Sequence, residues 1–209
     1  MKKGLFAVLA IVIATASFAQ SEKYVSAMEA KLSQLDSNNT VDSWKDLANS
    51  FERIADAEKT QWLPYYYAGL ALATAGWADQ NLNKDDNATK IKALCDKADA
   101  IAKSSEVFEI RNMAATQQMM VDPQSRYMTY GAEAGKALTQ GMEIDPKNPR
   151  LYYLQGMSVF NTPEAFGGGK AKAKPVFEKS VALFKSEEVK PLYPKWGQKQ
   201  AEDMLAQCQ

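Results

Sequence analysis

The sequence contains no histidine. That removes the usual general base and the commonest metal ligand together, and no motif supplies a nucleophile–base pair from serine, lysine or carboxylates instead. No catalytic residue, metal site or cofactor is therefore expected, and the chain is read as non-enzymatic. Two cysteines, Cys95 and Cys208, are the available thiolates. Charge of neither sign is in excess, with 25 basic and 25 acidic residues, and no basic patch stands out. This argues against nucleic acid and against an electrostatic grip on a membrane. After the first residues no long apolar run recurs, and almost no segment alternates as a half-buried strand would.

What is present begins with an address. Lys2 and Lys3 form a positive start, Leu5 to Ala14 is apolar and uncharged, and Ser17-Phe18-Ala19 offers small residues at the −3 and −1 positions of a signal peptidase site. Residues 1–19 are expected to be a signal peptide cleaved between Ala19 and Gln20, which makes the protein exported and periplasmic. The apolar run is shorter than the ~20 residues of a spanning helix, so no integral membrane segment is expected after cleavage. The roughly 190 residues that remain suit one domain with one core. Export permits a disulfide between Cys95 and Cys208. The alternative is two separate thiols, since Cys95 takes a core position of a helix and Cys208 is next to the last residue.

Helical periodicity runs through nearly everything else. The pattern predicts helices over about Ser21–Leu35, Val41–Ala57, Leu63–Ala75 (ending at Gly76), Asn87–Lys103, Ser105–Val121, Ser125–Ile144, a helix opened by Asn148-Pro149, Ala171–Phe184 and Pro194–Ala206. The polar stretch Asp79–Asp86 reads as a solvated loop. The last helix is expected to cap the stack, with Trp196 sealing the final pair.

The chain also repeats itself. Tyr65-Tyr66-Tyr67-Ala68-Gly69-Leu70 returns as Tyr152-Tyr153-Leu154-Gln155-Gly156-Met157, and a weaker copy lies between them as Phe108-Glu109-Ile110-Arg111-Asn112-Met113. These segments resemble helix A of tetratricopeptide repeats, in which an aromatic precedes a glycine by four residues. Ala134, Leu138 and Gly141, closed by Pro146, resemble helix B, as do Ala173, Phe177 and Ser180. The resemblance implies an all-α fold: a right-handed helical-hairpin solenoid of three to four irregular repeats with a C-terminal capping helix. Asn112 stands where the family has glycine. The aromatic positions are 43 and 44 residues apart, longer than the family's 34. A shorter segment, Thr162-Pro163-Glu164-Ala165-Phe166-Gly167-Gly168-Gly169-Lys170 followed by Val176-Phe177-Glu178-Lys179-Ser180, is similar to the periplasmic T-component family of TRAP-type transporters.

By this resemblance Tyr65, Gly69, Phe108, Tyr152, Gly156, Ala134, Leu138, Gly141, Ala173 and Phe177 are packing residues between helices. The concave face would be lined by Tyr66, Leu70, Glu109, Met113, Thr116, Arg150, Tyr153, Met157 and Phe160. An aromatic and methionine-rich face suits a protein segment or a small apolar ligand. Alternatively terminal helices fill the groove and these residues are core. The rival reading is a ligand-handling accessory of a periplasmic solute-uptake system. Phe166, Gly167, Gly168 and Gly169 form a loop whose glycines read as a turn of positive φ; neither the spacing nor the strand of a phosphate-binding loop is present. Asp85-Asp86 and Glu187-Glu188 lack the ligand pattern of a calcium loop and read as solvated charge. Lys170, Lys172 and Lys174 read as a solvated helix face.

Overall fold

The computed structural model describes residues 22–37 and 40–209. The expected signal peptide and its cleavage point lie outside them. Among the described residues every regular element is helical, and no helix is long and apolar enough to cross a membrane.

The first helix, α1 (22–32), buries Tyr24 and Met28 and ends in turns over 33–37, short of the expected Leu35. Next, α2 (Val41–Glu58) starts at a capping box, in which the Thr40 hydroxyl accepts from the Ser43 amide at 3.1 Å and Ser43 Oγ accepts from the Thr40 amide at 3.2 Å. Helix α3 (Leu63–Ala78), with Pro64 in its first turn, is buried on nearly every side and runs through Gly76 rather than stopping there. The predicted loop Asp79–Asp86 is shorter than expected: Asn83 accepts from the amides of Asp85 and Asp86, so α4 (Lys84–Ile101) begins inside it. Asp85 is thereby fixed and paired with Arg126 at 2.8 Å, not simply solvated.

Helix α5 (Ser105–Val121) matches its predicted span. The single helix expected over Ser125–Ile144 is instead α6 (Pro123–Arg126), a π-helical turn at Tyr127–Gly131, and α7 (Ala132–Ile144). Then follow α8 (Pro149–Asn161), α9 (Lys170–Lys185) and α10 (Gln198–Ala206). The last begins four residues later than expected. Gly197 adopts a left-handed φ of 108°, and Leu192 one of 64°, so residues 186–197 form an irregular strap and not the start of a helix.

Helices pack in sequence order, α2 on α3, α3 on α4, α4 on α5, α5 on α7, α8 on α9 and α9 on α10; α7 touches α8 much less. The ten expected packing residues are all buried. The spacing of aromatic and glycine has a steric cause. A Cβ on Gly69 would stand 2.9 Å from Ile110 Cγ2, and one on Gly156 only 2.5 Å from the Phe177 ring. The expected polar loop charges behave similarly to Asp85 at Glu187, which pairs with Arg150. Cys95 and Cys208 are separate free thiols, both buried. Burial pushes the Cys95 thiol up to about 12.

Candidate functional site

Three helices carry the predicted concave face, and along each of them burial changes in the same direction. On α3 the stripe is Tyr66, Leu70, Thr74 and Trp77; on α5 it is Glu109, Met113, Thr116 and Met120; on α8 it is Arg150, Tyr153, Met157 and Phe160. These spacings of three and four residues keep each stripe on one helix face. Tyr66 is 1% exposed, Glu109 0% and Arg150 2%, whereas Trp77 is 45% and Met120 53% exposed. Leu70 is buried, and Met113, Thr116, Tyr153, Met157 and Phe160 are half-buried. The N-terminal ends of the stripes are thus closed off, the C-terminal ends on α3 and α5 reach solvent, and Met157 and Phe160 on α8 stay half-buried. Sequence reasoning missed Trp77, although it lies one helical step beyond Leu70 and Thr74.

The strap closes the inner end. Trp62 meets Tyr193 edge-on at 5.5 Å, and Tyr153 meets Trp196 at 6.3 Å. The Tyr67 hydroxyl donates to Leu192 O at 2.8 Å. Trp196 therefore lies against Tyr66 and Tyr153 at the inner ends of the α3 and α8 stripes and does not seal the last helical pair; in α9 and α10 that is done by Val181, Phe184 and Ala201, with Leu205 against them. The C-terminal end of α10 brings Met204 and Cys208 against Phe177, Met157 and Phe160.

Below the strap is a chain of polar groups. Trp196 Nε1 donates to Tyr66 Oη at 2.8 Å, Tyr66 Oη contacts Glu109 Oε2 at 3.0 Å, and Asn148 Nδ2 donates to Glu109 Oε1 at 2.7 Å. Both carboxyl oxygens have partners, so burial is satisfied geometrically. Desolvation nonetheless raises the Glu109 pKa to about 8, against the pull of nearby Arg150. At neutral pH the carboxyl is mostly protonated, and the Tyr66 hydroxyl donates to Oε2. Burial likewise pushes the Tyr66 phenol well above its usual value.

Arg150 is the other buried charge. Its Nη1 and Nη2 grip Glu187 at 2.5 and 3.2 Å, and Nη2 also donates to Pro194 O at 2.6 Å. Its guanidinium lies 5.3 Å from the Phe184 ring and 5.7 Å from the Trp196 ring. Its Nε is buried and has no partner. A cleft of about 340 Å³ opens beside it, lined in part by Lys147, Asn148, Glu187, Lys190 and Tyr193.

The glycine loop is a turn and not an anion cradle. Gly167 and Gly169 have φ of 85° and 92°. Their amides and that of Gly168 are all used internally, on Glu164 O, Val159 O and Pro163 O respectively. Phe166 projects from it, 81% exposed. Lys170 Nζ stands 5.9 Å from the Phe160 ring, at the outer end of the α8 stripe.

No family model matches the chain, and no curated protein matches it. A solved structure does: the HusA haemophore from Porphyromonas gingivalis, at 35% sequence identity and a TM-score of 0.82, with 88% of this chain and 92% of that one covered.

Proposed function

The chain belongs to the family of the HusA haemophore, and from that premise we propose that it is an exported, non-catalytic carrier that binds haem on the face shared by α3, α5 and α8. A haemophore is by its name a carrier of haem. The observation that carries the reading across is this likeness over nearly the whole length of both chains, together with aromatic and methionine side chains on α3, α5 and α8 that stay half-buried or reach solvent.

Haem is a flat apolar macrocycle bearing two carboxylates. Tyr153, Met157, Phe160, Met113, Met120 and Trp77 offer ring faces and adaptable thioethers for such a surface. With no histidine in the sequence, an imidazole cannot hold the iron. Contact with the macrocycle would then supply most of the affinity, and any iron ligand would be a tyrosine, methionine or cysteine. The tetratricopeptide-like, right-handed arrangement of the helical pairs belongs to the same proposal. Its support is the aromatic–glycine spacing at Tyr65/Gly69 and Tyr152/Gly156, with Ile110 and Ile91 against Gly69 and the helix B residue Phe177 against Gly156.

The test is a visible-absorbance titration with haem and with iron-free protoporphyrin. Both are expected to bind wild-type protein, and the pair Tyr153→Ala with Met157→Ala to bind neither while keeping its far-UV helical signal. Failure of haem to bind the wild type ends the reading. Loss of helical signal in step with binding would assign Tyr153 and Met157 to the core.

A further inference from the structure

Building on the haem reading, we propose that Arg150 is the residue that takes a carboxylate of the ligand, and that Glu187, which now pairs with it, is the group the ligand exchanges for. Arg150 is prepared for the role independently of Glu187. It is 2% exposed and held between the Phe184 and Trp196 rings, and its Nη2 donates to Pro194 O. A planar fork fixed in this way receives any carboxylate in two-point fashion. Its buried Nε has no partner, so the site leaves one donor unused.

Glu187 differs in every one of these respects. Its side chain is 24% exposed, and it stands ahead of the strap's tertiary anchors in the chain. Ser186 and Glu188 to Pro191 are exposed, while the strap's anchors, Tyr67 to Leu192, Trp62 to Tyr193 and Trp196 to Tyr66, all come later in the chain. In the proposed exchange residues 186–191 move while those anchors hold.

Exchange is also the electrostatically allowed route. Removing one partner of a buried pair is costly because it strands the other charge, but a one-for-one swap never leaves Arg150 unpaired, and Glu187 moves into water. Simple addition of an anion is disfavoured, because Glu106, Asp145 and Glu188 also line the cleft, against Lys147 and Lys190. The remaining lining sets Asn148 and Ser186 beside Leu183, Val189, Tyr193 and the two prolines 149 and 194. The ligand group expected here is therefore the carboxylate itself, with the macrocycle lying outside the cleft.

The experiment compares wild type and Glu187→Ala, each titrated with haem and with haem whose two carboxylates are methyl esters. The variant should gain affinity for the free acid on the order of tenfold, the worth of one charge-assisted hydrogen-bonded pair no longer in competition, and gain none for the ester. In wild type, the amides of Glu187 and Tyr193, bonded to Phe184 O and Lys190 O at 3.3 and 3.1 Å, should lose hydrogen-exchange protection when the acid binds and keep it with the ester. This second measurement decides the matter if Glu187→Ala does not fold. Acid and ester bound equally by both proteins, with unchanged exchange, would overturn the exchange role and leave the haem reading standing. If neither ligand binds either protein, the haem reading fails and this inference with it.

Discussion

Replacing Glu109 by glutamine should remove a large part of the protein's loss of stability between pH 5 and pH 8. The folded-state pKa is raised to about 8 from an ordinary 4.5, so across that window the folded chain holds a proton the unfolded chain has released. Stability from this group is complete below pH 4.5 and is lost as pH rises toward 8. The slope reaches about 1.4 kcal/mol per pH unit, and the window accumulates a few kcal/mol, a sizeable share of an ordinary domain's stability. Glutamine keeps the size of the side chain and removes the titration; its carbonyl can accept from Asn148 Nδ2 or from the Tyr66 hydroxyl, the two donors to Glu109. Urea unfolding of both proteins at pH 5, 6, 7 and 8 isolates the effect, since every other titrating group is common to both. The variant should match wild type near pH 5 and exceed it by a few kcal/mol at pH 8. Parallel curves, or a wild type that gains on the variant as pH rises, would refute the claim that burial outweighs the attraction of Arg150.

Gly156→Ala would place a methyl 2.5 Å from the Phe177 ring and should cost about 1–3 kcal/mol in chemical denaturation; an unchanged midpoint would mean that α8 and α9 can separate freely. Tyr67→Phe deletes the hydrogen bond to Leu192 O and should cost about 1 kcal/mol while raising hydrogen exchange in the strap, which nuclear magnetic resonance would read; a strap left equally protected would remove that hydroxyl from its anchors. Cys95 should react with a thiol reagent in step with global unfolding, as its burial implies; rapid modification of native protein would contradict the packing of α4 against α5.

Most helices were legible because their boundaries are set by local chemistry. Asn148-Pro149 and the Thr40–Ser43 box specify helix starts from neighbouring residues alone. The packing residues were legible for a different reason: an aromatic four residues from a glycine records one helix touching another, as Gly156 and Phe177 do. The strap was not legible. Pro194 to Gly197 looks like a helix start in one dimension, and its actual path depends on Tyr66, Tyr67 and Trp62, more than a hundred residues away. For the same reason Asp85 and Glu187 read as solvated charge, since Arg126 and Arg150 meet them only in the folded chain. The stripes on α3, α5 and α8 were legible as helix faces, but the burial of their inner ends follows from where the strap lies. Trp77 was overlooked because it falls past Gly76, a residue that marks a helix end in sequence but here makes room for Gln117.

The central claim is tested most directly by native mass spectrometry of the protein purified from its source without stripping, and again after incubation with haem. The account predicts an adduct of the mass of one haem that disappears on denaturation. A clean protein mass in both preparations, or an adduct of a ligand unrelated to porphyrins, would contradict it.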